Sequence, residues 1–258
     1  MKVVILAGGY GTRISEETDS KPKPMVEIGG RPIIWHIMKS YAQQGFNEFV
    51  ILLGYKGYSI KEYFSNYFLH QSDVTLFTAQ DKFEVHNTSQ NEDWKVTLVE
   101  TGLNTMTGSR IKRAERYIKD EPFLLTYGDG LSDVCVKDLI EFHNASKALI
   151  TLTSVQPEGR FGSLDIGSNG AVNSFLEKPK GDGYWINGGF FVVDPSFLDL
   201  IKNENDVVLE REPLETAVSE GRLAAFKHHG FWKCMDTLRD KNYLENLWNI
   251  GQAPWKTW

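Results

Sequence analysis

The chain has 258 residues, of which 41% are apolar and 24% are charged, proportions that are ordinary for a globular protein. A formal net charge of −6 argues against general nucleic-acid binding, and the two cysteines, Cys135 and Cys234, are too few for a disulfide framework or a metal cluster. Because no apolar run is long enough for a membrane span or a signal peptide, we expect a cytoplasmic protein that binds neither nucleic acid nor a membrane.

Strands and helices alternate along the first part of the chain. In order, the apolar patterns predict a strand over 2–7, a helix over 31–45, a strand over 49–53, a helix that ends at Tyr67, strands at about 74–79 and 95–100, a helix near 108–118, a strand over 123–126, a helix over 136–147 and a strand over 149–154. The polar residues between 79 and 95 show little periodicity and predict an irregular segment. This alternation is typical of an α/β fold whose mostly parallel sheet is covered on both faces.

The pattern changes after residue 155. Short β-like pieces at 163–166, 171–176 and 185–193 are broken by glycine-containing turns, and helical patterns return near 211–219 and 237–249. We therefore predict a smaller mixed β elaboration in the C-terminal half. We expect a single domain over 1–258, with a core over about 1–154 and a second part over about 155–258.

A glycine-rich segment at residues 8–13 follows the first strand, and Lys21 and Lys23 follow within ten residues. Glycines let backbone N–H groups approach an anion, and basic side chains neutralise it, so this segment favours phosphate as its ligand. The alternative is a tight glycine turn with solvated basic residues. The segment is not a Walker loop, because Arg13 follows Gly11-Thr12. It also lacks the dinucleotide fingerprint, because Ile14 stands where the third glycine belongs.

Asp129 and Asp236 are the carboxylates that suit a metal site. Asp129 follows the predicted strand at 123–126, at the sheet edge where a carboxylate can hold Mg²⁺ against phosphate oxygens. The alternative is an Asp-Gly turn. Asp236 precedes a Thr-Leu-Arg-Asp sequence that fits a capping box, so it could instead be a favourable charge at a helix N-terminus. Asp133 is a weaker candidate and is more typical of a cap or turn.

Polar residues of the C-terminal half suit the recognition of a sugar phosphate. Glu177 can accept hydrogen bonds from hydroxyls, Lys178 can neutralise a phosphate, and the amide of Asn187 can bind hydroxyls. Gly162 lies in a predicted loop where its backbone can face the sugar. The alternatives are a surface ion pair at Glu177-Lys178 and a hairpin turn at Asn187.

The glycine-rich segment, read as LAGGYGTR over 6–13 and followed by Lys-Pro, resembles the signature of the sugar-phosphate nucleotidyltransferases. Further motifs along the whole chain resemble the glucose-1-phosphate cytidylyltransferases of that family. They are YKGY (55–58), IKEYF (60–64), TMTGSR (105–110), TYGDG (126–130), GRFG (159–162), EKPKGDG (177–183), INGGFF (186–191), MDTLRDK (235–241) and APWKTW (253–258). Ser109 departs from the pattern, in which we would expect glycine, and we do not expect it to disturb the nucleotide pocket.

This resemblance implies a Rossmann-like nucleotide-diphospho-sugar transferase fold and an enzyme that makes CDP-glucose and pyrophosphate from CTP and α-D-glucose 1-phosphate. The product would enter the dideoxy sugars of bacterial surface polysaccharide, the O-antigen of lipopolysaccharide. The resemblance also implies that about 1–154 binds the nucleotide and about 155–258 binds the sugar phosphate and takes part in a homo-oligomer.

Carried over position by position, the resemblance implies a role for each matching residue. The implied nucleotide contacts are Leu6, Ala7, Gly8, Gly9, Tyr10, Gly11, Thr12, Arg13, Lys23, Thr105, Arg110 and Gly128. The implied catalytic cations are Arg13 and Lys23. The implied Mg²⁺ ligands are Asp129 and Asp236. The implied contacts to the sugar phosphate are Gly162, Glu177, Lys178 and Asn187.

The implied reaction needs no activated side chain, because an oxygen of the sugar phosphate is already a nucleophile and attacks the α-phosphorus in line. Two alternatives stay open: a uridylyl- or thymidylyltransferase acting on a hexose 1-phosphate, and a non-catalytic regulatory protein that binds sugar nucleotides. Trp248, Trp255 and Trp258 favour an oligomer contact at the C-terminal end, with packing on their own subunit as the alternative.

Overall fold

The structure is a computed structural model, and it describes residues 1–70, 72–86, 92–157, 159, 163–168, 170–176 and 184–258. The strands in these ranges are β1 Val3–Ala7, β2 Glu27–Ile28, β3 Arg31–Pro32, β4 Glu48–Leu53, β5 Asp73–Phe77, β6 Lys82–His86, β7 Lys95–Glu100, β8 Phe123–Tyr127, β9 Gly130–Ser132, β10 Ile150–Val155, β11 Ser163–Ile166, β12 Val172–Leu176, β13 Ile186–Val193, β14 Leu223–Lys227 and β15 Trp232–Cys234. The α-helices are α1 Ser15–Thr18, α2 Ile33–Gln43, α3 Gly57–Ser65, α4 Thr107–Arg113, α5 Glu115–Ile118, α6 Val136–Ser146, α7 Glu212–Ser219 and α8 Leu238–Asn249. None of the helices in these ranges combines the length and the apolar character that crossing a membrane requires.

Seven strands form the central sheet in the order β14-β10-β13-β8-β1-β4-β7. Neighbouring strands are parallel except at β13, which is antiparallel to both β10 and β8. The predicted α/β class with a mostly parallel central sheet is therefore confirmed. Because β1, β4 and β8 are parallel neighbours, their carboxyl ends meet at one edge of the sheet.

Apolar side chains cover both faces of the sheet. Val3, Ile5 and Ala7 of β1 contribute to one buried cluster, whereas Val4 and Leu6 contribute to a second cluster. Alternate residues of a strand point to opposite faces, so β1 packs against helices on both sides. Helices α2, α3, α6 and α8 contribute to the first cluster, and α4, α5 and α7 contribute to the second.

Two predicted helices have different bounds in the structure. The helix expected over 31–45 begins at Ile33, because Arg31 and Pro32 pair with Ile28 and Glu27 as a short antiparallel ladder. Pro32 has φ −56° and ψ 144°, an extended conformation that suits a strand and not a helical turn. The helix expected near 108–118 is divided at Ala114 into α4 and α5.

Sequence periodicity misses β2, β3, β6, β9, β14 and β15 and misplaces β13. β6 forms a hairpin with β5 inside the segment that was expected to be irregular, of which residues 87–91 lie outside the described ranges. β9 has three residues, too few for alternation to show. Residues 185–193 were expected in the C-terminal elaboration, but β13 is an inner strand of the main sheet. The central sheet therefore draws strands from both halves of the chain.

Candidate active site

Two adjoining cavities open where β1 and β8 end, the edge at which parallel α/β sheets bind their ligands. The larger cavity has a volume of about 610 Å³ and lies between residues 6–13 and the segment that leads into α4. The smaller cavity has a volume of about 320 Å³ and is lined by residues of β13 and β15. Arg13, Tyr127 and Asp129 line both cavities, so they mark the junction between them.

The larger cavity gathers all the residues that were predicted to contact a nucleotide. They are Leu6, Ala7, Gly8, Gly9, Tyr10, Gly11, Thr12, Arg13, Lys23, Thr105, Arg110 and Gly128. Thr105 and Arg110 are about a hundred positions from the glycine-rich segment in sequence. They come close to it because β1, β4 and β7 are parallel and end at the same edge of the sheet.

Gly8 and Gly11 lie so close to other side chains that a Cβ at either position would crowd them. Gly11 has φ +66°, and a Cβ at this position would lie 3.1 Å from the Cβ of Lys23. A Cβ on Gly8 would lie 2.4 Å from the guanidinium carbon of Arg110. The glycines thus hold the backbone directly against two basic side chains, which is more than a simple turn would need.

A short antiparallel ribbon of β9 and β15 brings Asp129 and Asp236 together. Asp129 comes just before β9, and Asp236 comes two residues after β15. In the ribbon Cys234 pairs with Gly130, and the N–H of Met235 donates to the carbonyl of Asp129 at 2.9 Å. The two carboxylates are therefore neighbours in space although 107 positions separate them in the sequence.

Lys23, Asp129 and Asp236 form a hydrogen-bonded ion cluster at the junction of the cavities. The Nζ of Lys23 donates to Oδ2 of Asp129 at 2.6 Å and to Oδ1 of Asp236 at 2.7 Å. Arg13 donates from Nη1 to Oδ2 of Asp236 at 2.6 Å, and its side chain is 72% exposed. The structure thus places both predicted catalytic cations in contact with the predicted metal ligands.

The charges of this cluster support one another. Burial opposes the charge on Lys23, but the charge of Asp129 and the hydrogen bonds to both carboxylates outweigh burial and raise the pKa of Lys23. Burial also opposes the charge on Asp236, yet the hydrogen bond from Lys23 and the charges of Lys23 and Arg13 lower the pKa of Asp236. Lys23 and Asp236 are therefore both ionised near neutral pH.

The donor atoms of the cluster fit a hard divalent cation. One oxygen each of Asp129 and Asp236 and the sulfur of Cys234 lie within 4.8 Å of one another. Burial, reinforced by the charge of Asp129, raises the pKa of the Cys234 thiol far above its ordinary value. Sulfur is a soft donor that does not suit a hard cation, so the two carboxylates are the ligands that fit here. Two carboxylates beside an open cavity suit Mg²⁺, which binds through one or two carboxylates and keeps other positions for water and phosphate oxygens.

Arg110 is buried in the wall of the larger cavity and is held by backbone carbonyls. Its guanidinium donates to the carbonyls of Gly8 and Leu53 at 3.0 Å each and to that of Gly102 at 2.6 Å. Burial, together with the charge of Arg113, lowers the pKa of Arg110. Arg110 thus joins the segments that follow β1, β4 and β7, and it shapes the wall that a nucleotide would meet.

Asn187 lines the smaller cavity in a fixed orientation. Its Oδ1 accepts from the N–H of Gly189 at 2.8 Å, and its Nδ2 donates to the hydroxyl of Tyr127 at 3.3 Å. The hairpin-turn alternative for Asn187 is wrong, because the residue lies within β13, where the pairing with β10 changes register. The other residues predicted to bind the sugar phosphate lie outside the described ranges; they are Gly162, Glu177 and Lys178.

The structure also shows whether Asp129, Asp236 and Asp133 have the turn or capping roles that were the alternatives to metal binding. Asp129 lies in a turn between β8 and β9, and its carboxylate binds Lys23 as well. The predicted capping box of α8 is confirmed, with Thr237 as the N-cap and Asp240 as its partner. Asp236 lies directly before this helix N-terminus, as the alternative has it, and its carboxylate binds Lys23 and Arg13 as well. The carboxylate of Asp133 instead contacts His228, with Oδ1 at 2.9 Å from Nε2.

Sequence reasoning missed several residues that line these cavities. Tyr10 was expected there, but its partner Asn104, which accepts from the Tyr10 hydroxyl at 2.6 Å, was not. Glu210 and Trp232 of the smaller cavity were also missed. A single amide, carboxylate or indole has no spacing that distinguishes it from surface residues, so only the fold could identify these positions.

The C-terminal tryptophans pack on their own subunit. Trp255 is fully buried, and its Nε1 donates to Nδ1 of His36 at 3.4 Å. The ring centroid of His36 lies 4.7 Å from that of Trp248 and 6.4 Å from that of Trp258. These contacts correspond to the alternative of packing within the subunit, and the homo-oligomer stays a prediction.

Known proteins resemble the chain in both sequence and fold. A family model described as nucleotidyl transferase matches residues 2–240. The glucose-1-phosphate cytidylyltransferase of Salmonella typhimurium is 61% identical over the full length of both chains, and a probable enzyme of the same name from Bacillus subtilis is 45% identical over the same extent. The crystal structure of HddC from Yersinia pseudotuberculosis is 26% identical, has a TM-score of 0.69, and covers 96% of this chain and 99% of its own.

Proposed function

The chain belongs to the nucleotidyl transferase family, and we propose that it acts as a glucose-1-phosphate cytidylyltransferase. The enzyme transfers a cytidylyl group from CTP to α-D-glucose 1-phosphate and gives CDP-glucose and pyrophosphate. The identity of 61% over the whole chain to a relative of that name supports this reaction. The observation in the structure that carries the proposal is the meeting of Arg13, Lys23, Asp129 and Asp236 where the two cavities join.

In this proposal the larger cavity binds CTP. Its volume lies within the range of small-ligand sites, and the backbone of residues 8–13 faces it. The glycines expose N–H donors to the triphosphate, while Arg13 and Lys23 offset its charge. Arg110 acts as a positioning residue, because its hydrogen bonds hold the carbonyls that border the pocket.

The smaller cavity receives glucose 1-phosphate in this proposal. Asn187 presents a fixed amide to it, and Trp232 offers an apolar wall whose indole N–H is bound to the carbonyl of Gly188 at 2.6 Å. From the sequence we assign Gly162, Glu177 and Lys178 to the same substrate. A sugar bound here directs its phosphate toward the junction, where the cations lie.

Members of this family generally use a divalent metal, and we assign Mg²⁺ to Asp129 and Asp236 because both are hard oxygen donors at the junction. When bound, the cation supplies charge stabilisation to phosphate oxygens. The chain's own residues hold the two anionic substrates side by side, with the sugar phosphate in line for attack on the α-phosphorus. Lys23 and Arg13, which bind the carboxylates in the structure, turn to the phosphates and offset the charge that the transfer concentrates there.

Assays of pyrophosphate release with the four common nucleoside triphosphates and several sugar phosphates test the proposal. We expect the highest kcat/KM with CTP and glucose 1-phosphate. Comparable values for CTP and UTP would instead favour a uridylyltransferase. Tight binding of a sugar nucleotide without any release of pyrophosphate would favour the regulatory, non-catalytic alternative.

The preference for cytosine requires an acceptor for its 4-amino group. Uracil places an oxygen at that position, and such a mismatch costs roughly 1–3 kcal/mol. A backbone carbonyl of residues 6–9 is the proposed acceptor. The carbonyl of Gly8 already accepts from Arg110 and from the N–H of Tyr55, so the carbonyls of its neighbours are better placed. Arg110→Ala should weaken CTP and UTP alike, because arginine is only a donor.

Three finer assignments complete the proposal. We propose that the protein works in the cytoplasm, that it is a homo-oligomer, and that its product enters the dideoxy sugars of the lipopolysaccharide O-antigen. Light scattering of the purified protein tests the second assignment: a mass of 29.3 kDa, that of one chain, would contradict it.

A further inference from the structure

Glu210 is a carboxylate in the smaller cavity that has no role in the reaction described so far. It lies in the segment between β13 and α7, and its side chain is exposed to the cavity. Asn187, Trp232 and Asp236 line the same space. The position of Glu210 is therefore open to a ligand that enters this cavity.

Two hydroxyl donors hold the carboxylate of Glu210. The hydroxyl of Tyr127 donates to Oε1, and the hydroxyl of Thr107 donates to Oε2 at 2.9 Å. The hydroxyl oxygen of Thr107 accepts from the N–H of Leu209 at 2.9 Å, which leaves the hydroxyl hydrogen to donate to Glu210. Burial and the charge of Glu210 raise the pKa of Tyr127 well above its ordinary value, so the phenol stays protonated as a donor.

The backbone around Glu210 is tied to the start of α4. The N–H of Ser109 donates to the carbonyl of Val207 at 3.1 Å, and the N–H of Val207 donates to Oγ of Ser109 at 3.0 Å. The N–H of Met106 donates to the carbonyl of Asn205 at 2.9 Å. The side chain of the serine that departs from the expected glycine thus contributes one of the bonds that fix the segment leading into Glu210.

The chemistry of Glu210 restricts what it can bind. An ionised carboxylate only accepts hydrogen bonds, and its two oxygens offer about four acceptor positions. Tyr127 and Thr107 occupy one position on each oxygen, so each oxygen can accept one more bond. A phosphate would be repelled, whereas a sugar hydroxyl is a matching donor. The cations at the junction hold the phosphate, which leaves the hexose ring beside Glu210.

We infer that Glu210 is a sugar-specificity residue that accepts a hydrogen bond from a ring hydroxyl of the hexose. This inference rests on the proposed function. Tyr127 links Glu210 to Asn187, because its hydroxyl donates to the carboxylate and accepts from the amide. Glu210 and Asn187 therefore present a connected row of polar groups to one edge of the sugar. Thr107 connects this row to the wall of the nucleotide cavity.

Deoxy analogues of the sugar test this role. The kcat/KM for glucose 1-phosphate and for its 2-, 3-, 4- and 6-deoxy forms is measured at saturating CTP, in the unmodified protein and in Glu210→Gln. In the unmodified protein we expect the kcat/KM of one deoxy analogue to be roughly 10- to 100-fold lower than that of glucose 1-phosphate. This analogue lacks the hydroxyl that donates to Glu210, so the charged acceptor is left unpaired. In Glu210→Gln we expect that difference to shrink to within about threefold. The KM for CTP, measured separately with CTP varied at saturating glucose 1-phosphate, should be unchanged.

Glu212→Gln is the matched control. Its carboxylate lies two positions along the chain, pairs with Lys202 at 2.6 Å and is 54% exposed. We expect all its kinetic constants to match those of the unmodified protein. Equal losses for glucose 1-phosphate and every analogue in Glu210→Gln would show a merely structural role and overturn this inference alone. Failure of the unmodified protein to use glucose 1-phosphate would overturn the proposed function, and this inference with it.

Discussion

Two clusters connect the beginning of the chain to its end, and their chemistry is opposite. In the ion cluster, Lys23 binds the carboxylates of Asp129 and Asp236 at the junction of two cavities. In the tryptophan cluster, the neutral imidazole of His36 lies among the indole rings of Trp248, Trp255 and Trp258. Each cluster joins residues that are more than 100 positions apart in the sequence.

The difference shows how the fold separates function from stability. Partly buried ion pairs lose hydration and contribute little net stability, so the ion cluster is explained by the charged ligands that it can bind. Aromatic rings that pack edge to face bury large apolar areas and stabilise the fold directly. Substitutions in the ion cluster should therefore change turnover, and substitutions in the tryptophan cluster should change the free energy of unfolding.

Trp255→Ala should have the largest effect. Removing a fully buried indole leaves a cavity and should lower the free energy of unfolding by about 3–5 kcal/mol. The kcat per folded molecule should stay nearly unchanged, because the ring lines neither cavity. Urea unfolding and a pyrophosphate assay measure the two effects. Tyr58→Ala is the control, since that ring is 73% exposed and should change stability by less than about 0.5 kcal/mol.

Asp129→Asn and Asp236→Asn should lower turnover and leave stability nearly unchanged, the opposite of Trp255→Ala. Each should lower kcat by roughly 10²–10³-fold, because one carboxylate of the proposed metal site is lost, while the unfolding temperature changes little. The double variant should be little worse than either single one, since both act through one cation. Near-normal activity of either single variant at subsaturating Mg²⁺ would contradict the shared site.

Lys23→Ala and Lys178→Ala should separate the two substrates. Lys23 is assigned to the transferring phosphates, so its loss should depress kcat by about 10- to 100-fold. Lys178 is assigned to the sugar phosphate, and its loss should raise the KM for glucose 1-phosphate far more than that for CTP. Steady-state kinetics with each substrate varied in turn measure both effects. The opposite pattern would exchange the two roles.

His36 should make the fold slightly less stable in mild acid. Burial lowers the pKa of His36 from 6.5 to about 4, although the carbonyl of Ile28 accepts from its Nε2 at 2.8 Å and opposes the shift. The unfolded chain therefore binds the extra proton first as pH falls, and the stability present above pH 6.5 is lost progressively toward pH 4. Between pH 7 and pH 5.5 the loss should be about 1 kcal/mol.

Urea unfolding across this pH range, compared with His36→Gln, isolates that contribution. The glutamine variant keeps a donor for the carbonyl of Ile28 but does not titrate. Its free energy of unfolding should therefore change less between pH 7 and pH 5.5 than that of the unmodified protein. Parallel curves for the two proteins would show that His36 is not responsible.

Much of the fold and half of the site could be predicted from local patterns. Apolar runs mark β1, β4 and β8 because strands buried on both faces are continuously hydrophobic. The segment at 8–13 is recognisable because glycines and basic residues are adjacent there in the sequence. The start of α2 was misplaced, because a proline such as Pro32 can either start a helix or end a strand. The place of β13 was missed, because the neighbours of a strand depend on the rest of the sheet.

The sequence alone determined the chemistry available to this protein: a glycine-rich segment, two cations and a pair of carboxylates. Only the tertiary structure decided which of these groups meet. Lys23 reaches Asp129 and Asp236 because the β9–β15 ribbon returns the chain to the end of β8. Glu210 reaches the smaller cavity because its segment is bound to α4. Contacts over such sequence distances leave no periodic signal, since they depend on how separate segments of the chain pack against one another.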